Sequence, residues 1–237
     1  MMPRQSQHKK KVAVFDIDGT IYRSSFVVEI IDAMVQEGIF PKKVAKEYEG
    51  AYRKWINRQG TYENYINQLL KVYAENIKGV KQREFSIIVK KVVAFHKNRV
   101  YCYTRDLIKN LKRKKYFLLA ISNSPKEVVD QFSKNFKFNK VYGRIYATDK
   151  SGRFTGEGIY FGLMDNKALV LRRAIEKENL TLSGSIGVGD TETDIPFLKM
   201  VERPICFNPN KKLFRYAKRA GWKVVVERKD MIYDKLS

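Results

Sequence analysis

Short apolar runs, each leading into a polar turn, recur along the chain. The first comprises residues 12–15 and ends abruptly at the acidic turn of residues 16–20. Further runs lie at residues 116–121, 185–188, 204–207 and 222–226, with helical patterns between them. A continuous apolar run is typical of a parallel strand that is buried on both faces. The alternation of such strands with helices predicts an α/β fold with a doubly wound parallel sheet.

Between residues 24 and 100 the apolar positions follow a helical period instead. They form three stripes: Phe26, Val27, Ile30, Ile31, Met34 and Val35; Tyr62, Tyr65, Ile66, Leu69, Leu70 and Tyr73; and Phe85, Ile88, Val92 and Phe95. Each stripe has the spacing of one helix face. No strand candidate of comparable strength lies in this segment. We therefore predict a helical domain of residues 24–100, inserted into an α/β core of residues 1–23 and 101–237.

Turn-forming residues refine two of the predicted elements. Ser124 suits a helix N-cap and Pro125 suits the first helical position, so a helix is expected directly after residues 116–121. The turn at residues 150–153 predicts a hairpin between strands at residues 141–147 and 154–161. Asp149 and Glu157 are assigned to that hairpin.

The composition limits the classes of protein to consider. The chain has 237 residues, of which 44% are hydrophobic, and this is an ordinary globular make-up. No apolar run approaches the roughly 20 residues of a membrane span, so no membrane association is expected and the cytoplasm is the default location. Cys102 and Cys206 are far apart, which argues against a disulfide framework or a zinc site and favours two buried thiols.

The net charge of +22 is the unusual feature of the composition. It indicates either a polyanionic partner such as nucleic acid, or a lysine-rich surface whose field attracts phosphate substrates. The basic residues are scattered along the chain rather than clustered. This scatter favours the second interpretation, so nucleic acid remains possible as a partner but is not favoured.

The acidic turn Asp-Ile-Asp-Gly-Thr at residues 16–20 allows a calcium loop, a coincidental acidic turn or a catalytic turn. A calcium loop of the EF-hand type would need Gly at its sixth position and Glu at its twelfth, where Ile21 and Val27 stand. Three further polar motifs also follow strands or open helices. These are Ser122-Asn123, Lys167, and the segment Gly-Asp-Thr-Glu-Thr-Asp at residues 189–194. All four are expected to converge on the carboxyl edge of the sheet, where ligand sites of α/β proteins lie.

In order and spacing, these four motifs resemble those of the haloacid dehalogenase (HAD) superfamily of phosphatases. The helical insert is similar to the cap of the phosphoserine-phosphatase-like branch, subfamily IB, and the resemblance covers nearly the whole chain. It implies that Asp16 is the nucleophile and that Asp18 is the general acid and base. It also implies a Mg²⁺ cofactor held by Asp16, the backbone carbonyl of Asp18, and Asp190.

The same resemblance implies how the phosphoryl group is bound. Lys167 would hold its oxygens, and Ser122 with the backbone amides of Gly19 and Asn123 would donate hydrogen bonds to it. Thr20, which caps the turn, belongs to the same substrate-binding set. Asp194 would lie behind this layer and orient Lys167 or metal-bound water. Glu192, between the motif acids, is expected to be exposed to solvent.

These inferences predict a Mg²⁺-dependent phosphomonoesterase that hydrolyses a small organic phosphate through an aspartyl-phosphate. Two alternatives of the same fold are a phosphotransferase and a phosphatase acting on a lipid or on a nucleic-acid end. An alternative of a different class is a basic nucleic-acid-binding protein without catalysis. The paired carboxylates Asp16 and Asp18 argue against that last alternative, because negative charge weakens binding to a phosphate backbone.

One position distinguishes the chain from phosphoserine phosphatases. Those enzymes carry a Glu nine residues after the nucleophile, and Ser25 stands there in this chain. L-phosphoserine is therefore expected to be a poor substrate. The basic residues Arg23, Arg53 and Lys54 are expected to favour a substrate with a second anionic group, while Glu29, one helical turn on, is the alternative partner for an ammonium.

Overall fold

The computed structural model describes residues 9–234, and eight strands within them form one sheet in the order β4-β3-β2-β1-β5-β6-β7-β8. The strands are β1 (Lys10–Phe15), β2 (Phe117–Pro125), β3 (Lys140–Thr148), β4 (Phe154–Ile159), β5 (Leu180–Gly189), β6 (Arg203–Phe207), β7 (Lys223–Arg228) and β8 (Met231–Tyr233). The six inner strands pair in parallel, and β4 and β8 are antiparallel strands at the two edges. The predicted fold class is confirmed.

The position of β1 in the middle of the sheet explains why its sequence is apolar without alternation. Ala13 and Phe15 belong to the hydrophobic core on one face of the sheet, and Val12 and Val14 belong to the core on the other face. All four side chains have no exposed surface. Burial on both faces requires helices on both sides of the sheet, as in doubly wound folds.

Ten helices accompany the sheet in the described residues. Four of them lie between β1 and β2: α1 (Phe26–Gln36), α2 (Val44–Ile56), α3 (Tyr62–Ile77) and α4 (Gln82–His96). The others are α5 (Cys102–Arg113), α6 (Lys126–Ser133), α7 (Phe161–Met164), α8 (Lys167–Glu178), α9 (Ile195–Leu198) and α10 (Lys211–Ala220). None of these helices is both long and apolar enough to cross a membrane.

The chain leaves the sheet for α1 and returns to α5 at adjacent points. Tyr22 and Val100 form an isolated antiparallel bridge. Beside it, the Arg23 amide donates to the Arg99 carbonyl at 3.0 Å, and the Tyr101 amide donates to the Ile21 carbonyl at 3.0 Å. The segment α1–α4 is therefore joined to the sheet by two crossings that are bonded to each other.

A second contact links the α1–α4 segment to the β3–β4 hairpin. The Phe154 amide donates to the Val80 carbonyl at 2.9 Å, and the Gly79 amide donates to the Phe154 carbonyl at 2.7 Å. These residues connect α3 to α4 on one side and open β4 on the other. The helices are thus fixed to the rest of the molecule at two separate places.

Two local expectations are wrong. Strand β2 continues to Pro125, which pairs with Arg144 of β3, so α6 begins at Lys126 and Ser124 is not its N-cap. The apolar spacing places Phe95 on the buried stripe of α4, but its side chain is 85% exposed. Phe95 is the last residue but one of α4, which ends at His96, and it lies beyond the buried residues of that helix, the last of which is Val93.

Two further features differ from the sequence-based expectations. Strand β8 is an edge strand whose residues are exposed, so it carries no burial pattern that could predict it. Cys206 is buried as expected, whereas Cys102 is only partly buried because it opens α5 at the molecular surface. Both cysteines are free.

Candidate active site

The acidic turn after β1 is folded tightly against the neighbouring strand. The Asp16 amide donates to the Val188 carbonyl of β5 at 2.9 Å, which continues the sheet pairing by one residue. The carbonyl of Ile17 then accepts hydrogen bonds from the amides of residues 20, 21 and 22. Gly19 has a φ of +76°, and a Cβ there would collide with the Asp190 carboxylate. Glycine is thus needed both for the backbone angle and for the close approach of Asp190.

The Asp18 carboxylate lies at the amino end of α1. One of its oxygens accepts a hydrogen bond from the Phe26 amide at 2.6 Å, and the other accepts one from the Ser122 hydroxyl at 2.5 Å. Burial raises the pKa of Asp18, and the hydrogen bonds from Ser122 and Phe26 offset part of that increase. A raised pKa suits a carboxyl group that has to carry a proton near neutral pH.

Lys167, the first residue of α8, joins two carboxylates. Its Nζ lies 2.5 Å from Oδ1 of Asp16 and 2.6 Å from Oδ1 of Asp194. The side chain is almost completely buried. Burial lowers the pKa of Lys167, but the charges and hydrogen bonds of Asp16 and Asp194 raise it overall, so the ammonium stays protonated. Asn166 caps the helix by accepting from the Ala168 amide at 3.0 Å.

Asp194 organises the loop after β5. Its Oδ2 accepts hydrogen bonds from the Asp190 amide at 2.9 Å and from the Thr191 amide at 3.1 Å, while Oδ1 contacts Lys167. A Cβ at Gly189 would overlap the Asp194 side chain, so only glycine permits this packing. Both oxygens of Asp194 are therefore occupied by donors of the protein itself.

Asp16, Asp190 and Asp194 form a buried carboxylate cluster. Each offers one oxygen within 4.8 Å of the others. Burial, reinforced by the charges of Asp194 and Asp18, raises the pKa of Asp16 to about 8 despite the nearby Lys167. Burial and the charge of Asp16 raise the pKa of Asp190 well above its ordinary value.

The cluster fits a divalent cation. When all three carboxylates are ionised they share one ammonium, that of Lys167, so two negative charges have no buried counterion among the described residues. Carboxylate oxygens are the ligands that Mg²⁺ prefers. Asp16 and Asp190 have oxygens to offer, whereas those of Asp194 already accept from the protein. The side chain of Asp18 does not belong to the cluster.

A cavity of about 50 Å³ lies directly over these residues. Asp16, Asp18, Asn123, Lys167 and Asp190 line it from the side of the sheet. The opposite wall comes from α1 and α3 and from the residue before α1; it consists of Ser25, Val27, Tyr62, Glu63, Ile66 and Leu70. The sheet side is thus charged, and the helical side is mainly apolar.

The remaining predicted ligands lie at the same place but have partners within the protein. The Thr20 hydroxyl donates to Oδ1 of Asp190 at 3.3 Å. The Ser122 hydroxyl donates to Asp18 and accepts from the Ser124 amide at 2.9 Å. Asn123 lines the cavity, and its buried Oδ1 has no hydrogen-bond partner among the described residues. Binding of the phosphoryl group by these residues stays a prediction.

The basic residues expected to select an anionic substrate do not line the cavity. Arg23 forms an ion pair with Glu227, and its guanidinium lies 4.7 Å from the centre of the Tyr101 ring. Arg53 is exposed and pairs with Glu49, one turn earlier on α2. Lys54 is exposed on the same helix. Among the described residues only Lys167 gives the cavity a basic side chain, so that expectation is wrong.

Two acidic residues also differ from expectation. Glu29 does not line the cavity, because its carboxylate contacts Arg99 at 3.3 Å and His96 at 3.2 Å. Glu192 is not solvent-exposed, since only 17% of its side chain is accessible and it contacts Lys212 at 2.8 Å and Asn210. The capping turn of residues 191–194 directs Glu192 toward the start of α10.

Tyr62 and Glu63 are the site residues that sequence reasoning missed. They occupy the first turn of α3, directly after Thr61, whose hydroxyl caps the helix by accepting from the Asn64 amide at 3.1 Å. An acidic residue in a first turn is common in helices of every kind, because it complements the helix dipole. The sequence therefore carries no signal that distinguishes Glu63 from an ordinary surface residue.

Comparisons with known proteins agree with this geometry. A model of the haloacid dehalogenase-like hydrolase family matches residues 13–199. The chain is 23% identical to the inhibition of morphological differentiation protein of Streptomyces azureus, over 91% of this chain and 78% of the relative. It is 22% identical to a histidinol-phosphatase of Neisseria meningitidis serogroup C (strain 8013), over 91% of this chain and 98% of the relative.

A solved structure of similar fold is that of a phospho-aspartyl intermediate analogue of phosphoserine phosphatase. It superimposes with a TM-score of 0.61 at 21% identity, covering 94% of this chain and 95% of that one. The family match spans the acidic turn, the helical segment and the loop after β5. The chain therefore belongs to the haloacid dehalogenase-like hydrolase family.

Proposed function

We propose that this protein is a Mg²⁺-dependent phosphomonoesterase that hydrolyses a small organic phosphate through an aspartyl-phosphate on Asp16. The observation that carries the proposal is the buried Asp16 carboxylate, held by Lys167 at 2.5 Å beside Asp18 and Asp190 under one cavity. The family match and the two phosphatase relatives support the reaction class.

In the first step, an oxygen of Asp16 attacks phosphorus. Lys167 holds Oδ1 of Asp16 and so fixes the direction in which the carboxylate faces. The ester P–O bond breaks as the Asp16 O–P bond forms, and Asp18 donates its proton to the departing oxygen, which leaves as an alcohol. Burial raises the pKa of Asp18, which favours the protonated form that this transfer needs.

In the second step, water attacks the phosphorus of the aspartyl-phosphate. Asp18, now ionised, takes a proton from that water, and the bond between phosphorus and Asp16 breaks. The products are inorganic phosphate and a free Asp16 carboxylate, with the proton back on Asp18. Hydrogen bonds from Ser122 and from the backbone amide of residue 123 are proposed to stabilise the phosphoryl oxygens in both steps. The Gly19 amide, expected to do the same, donates instead to the carbonyls of Tyr22 at 2.9 Å and Ser24 at 3.1 Å.

Asp16, Asp190 and the carbonyl of Asp18 are the proposed Mg²⁺ ligands, with Asp194 positioning Lys167 behind them. When bound, the ion neutralises the negative charge that the phosphate dianion brings to this acidic site. Without a cation, the excess negative charge of the carboxylate cluster would repel the substrate.

We further propose that residues 24–100 act as a cap on a core made of residues 1–23 and 101–237. The cap wall of the cavity comes from α1 and α3, which are fixed to the sheet by the crossings near Tyr22 and Val100. Closure excludes bulk water while Asp16 is attacking, and opening releases the alcohol. The small cavity favours a small leaving group over the lipid and nucleic-acid-end alternatives.

Hydrolysis of a generic aryl phosphate tests the proposal. Wild-type protein should release phosphate with Mg²⁺, lose this activity in EDTA, and regain it when Mg²⁺ is returned in excess. Full activity after exhaustive chelation would exclude the metal, and transfer to an added alcohol in preference to water would favour the phosphotransferase. A chain that binds RNA but hydrolyses no monoester would favour the nucleic-acid-binding alternative.

A further inference from the structure

Glu63 is the one acidic residue that the α1–α4 segment contributes to the cavity, as far as the chain is described. It stands in the first turn of α3, and its side chain is half-buried. Around it, the same wall is built from the side chains of Val27, Ile66 and Leu70. A charged group in such a wall faces whatever the substrate carries beyond its phosphate.

The Glu63 carboxylate has neither a hydrogen-bond partner nor an ion-pair partner within residues 9–234. Lys212, whose charge also acts on Glu63, is paired with Glu192 instead. Burial raises the pKa of Glu63, and the charge of Glu192 acts in the same direction. A half-buried carboxylate without a partner costs free energy, so the site gains if a ligand supplies the missing positive charge.

Two neighbouring groups also suit a cation. The unpaired Oδ1 of Asn123 is a second hydrogen-bond acceptor in the same cavity. Tyr62, next to Glu63, brings an aromatic ring to the wall, and the faces of such rings attract organic cations. An alkylammonium group has three donors and could use both acceptors at once.

We propose that Glu63 selects phosphate monoesters whose alcohol carries a cationic nitrogen and no carboxylate, that is, phosphorylated amino alcohols. This inference rests on the proposed phosphatase function. A second anionic group on the substrate would face Glu63, and the one basic side chain that lines the cavity within residues 9–234, Lys167, is already paired with Asp16 and Asp194. L-phosphoserine is therefore disfavoured through its carboxylate, although its ammonium suits the site.

Matched substrates isolate the contribution that the positive charge of the substrate makes to kcat/KM. Phosphates of amino alcohols with two to four carbons are compared, each with the diol phosphate of the same length, which replaces the ammonium by a hydroxyl. Wild-type protein should show the higher kcat/KM for the amine at the best chain length. The variant Glu63→Gln should lose about ten- to hundredfold of kcat/KM for the amine and less than about twofold for the diol, the range expected for a hydrogen bond to a charged group.

Glu75→Gln is the matched control, because Glu75 lies on the same helix α3 but is exposed and, among residues 9–234, pairs only with Lys71 at 4.0 Å. It should leave both substrates unchanged. Retained activity of Glu63→Gln on the diol phosphate shows that the variant is folded. An equal loss on both substrates would overturn the inference, because Glu63 would then act in closure and not in recognition of charge.

Binding separates this inference from the proposed function. Calorimetry with 2-aminoethylphosphonate and ethylphosphonate, which cannot be hydrolysed as esters, needs no turnover. The amine should bind about tenfold or more tightly to the wild type, and Glu63→Gln should remove the difference. Equal binding of the two phosphonates would refute the role of Glu63 even if the protein proves to be a phosphatase. Selective binding without hydrolysis of any ester would refute the phosphatase alone.

Discussion

Three aspartates of the site differ in what surrounds them, and this difference supports the role proposed for each. Asp194 accepts from two backbone amides and from Lys167, so both its oxygens are occupied. Asp18 accepts from the first amide of α1 and from Ser122. Asp16 is held through one oxygen by Lys167, which leaves the other available to a phosphorus atom. These surroundings fit the proposed roles of Asp194 as a positioning group, Asp18 as an acid and Asp16 as a nucleophile.

The first prediction at the residue scale concerns Asp16 and Asp18. Asp16→Asn should abolish turnover, because an amide cannot attack phosphorus, and Asp18→Asn should lower kcat by roughly 10²–10⁴-fold, the usual contribution of general acid–base help. Steady-state kinetics on an aryl phosphate provide the measurement. Asp106→Asn, at an exposed position of α5, is the control and should behave as wild type. Wild-type turnover by Asp16→Asn would end the hypothesis.

Residue-scale prediction from the sequence succeeds where a motif fixes the backbone. The turn after β1 and the loop after β5 bring Asp16, Asp18 and Asp190 to one sheet edge together with Lys167. It fails for Glu63, because the identity of the α3 residue that faces the cavity depends on how the helix packs over the sheet. Charge alone is misleading too: Arg23 is basic and close in sequence, yet it is paired with Glu227.

At the scale of elements, α5 owes its amino end to a residue from the far end of the chain. Glu227 of β7 accepts hydrogen bonds from the Cys102 amide at 3.0 Å and the Tyr103 amide at 2.8 Å, and it also pairs with Arg23. Tyr101, at the N-cap position, makes no side-chain cap. The buried Glu227 carboxylate therefore stabilises both crossings between the sheet and the α1–α4 segment, one through Arg23 and the other through the first turn of α5.

This arrangement predicts the effect of Glu227→Gln. Loss of the charge weakens the two amide hydrogen bonds and leaves Arg23 without its partner, which should lower the free energy of unfolding by about 1–3 kcal/mol. Urea denaturation followed by circular dichroism gives the value. Glu178→Gln removes a partly exposed carboxylate 3.7 Å from Lys140 and should change stability by less than about 0.5 kcal/mol. Equal effects of the two substitutions would contradict the capping role.

Periodicity predicts most of the elements because burial creates periodicity. The helices α1, α3 and α4 and the inner strands each bury a face, and their apolar patterns record it. Strand β8 buries little and leaves no pattern. The end of β2 is mispredicted for another reason, since Ser124 and Pro125 have local preferences for a helix start that pairing with β3 overrides.

At the scale of the whole molecule, the buried carboxylates link stability to both pH and metal. The pKa of Asp16 rises from an ordinary 3.8 to about 8 in the folded protein. Because this carboxyl prefers its proton when folded, the metal-free protein loses stability as the pH rises from about 4 to about 8. A divalent cation replaces the proton, so its stabilising effect should grow over the same interval.

Thermal unfolding with and without Mg²⁺ checks this prediction. At about 100 times its dissociation constant, Mg²⁺ should add about 2.7 kcal/mol, which for a chain of this size corresponds to a rise in Tm of about 5–10 °C. At one fixed Mg²⁺ concentration, set to 100 times the dissociation constant at pH 8, the rise should be larger at pH 8 than at pH 6. Asp190→Asn should remove most of the rise, while Asp106→Asn should keep it. A rise that is independent of pH would contradict proton competition at this cluster.

The central position of β1 has a consequence for how the protein is made. Both of its neighbouring strands, β2 and β5, lie later in the chain, and the nearer one begins about 100 residues after β1 ends. At roughly 5–20 residues per second, a ribosome takes on the order of 5–20 s to add them. Throughout this time neither β2 nor β5 is available to pair with residues 12–15, because the helices α1–α4 are synthesised first. The central strand of the sheet is thus synthesised long before either of the strands that pair with it.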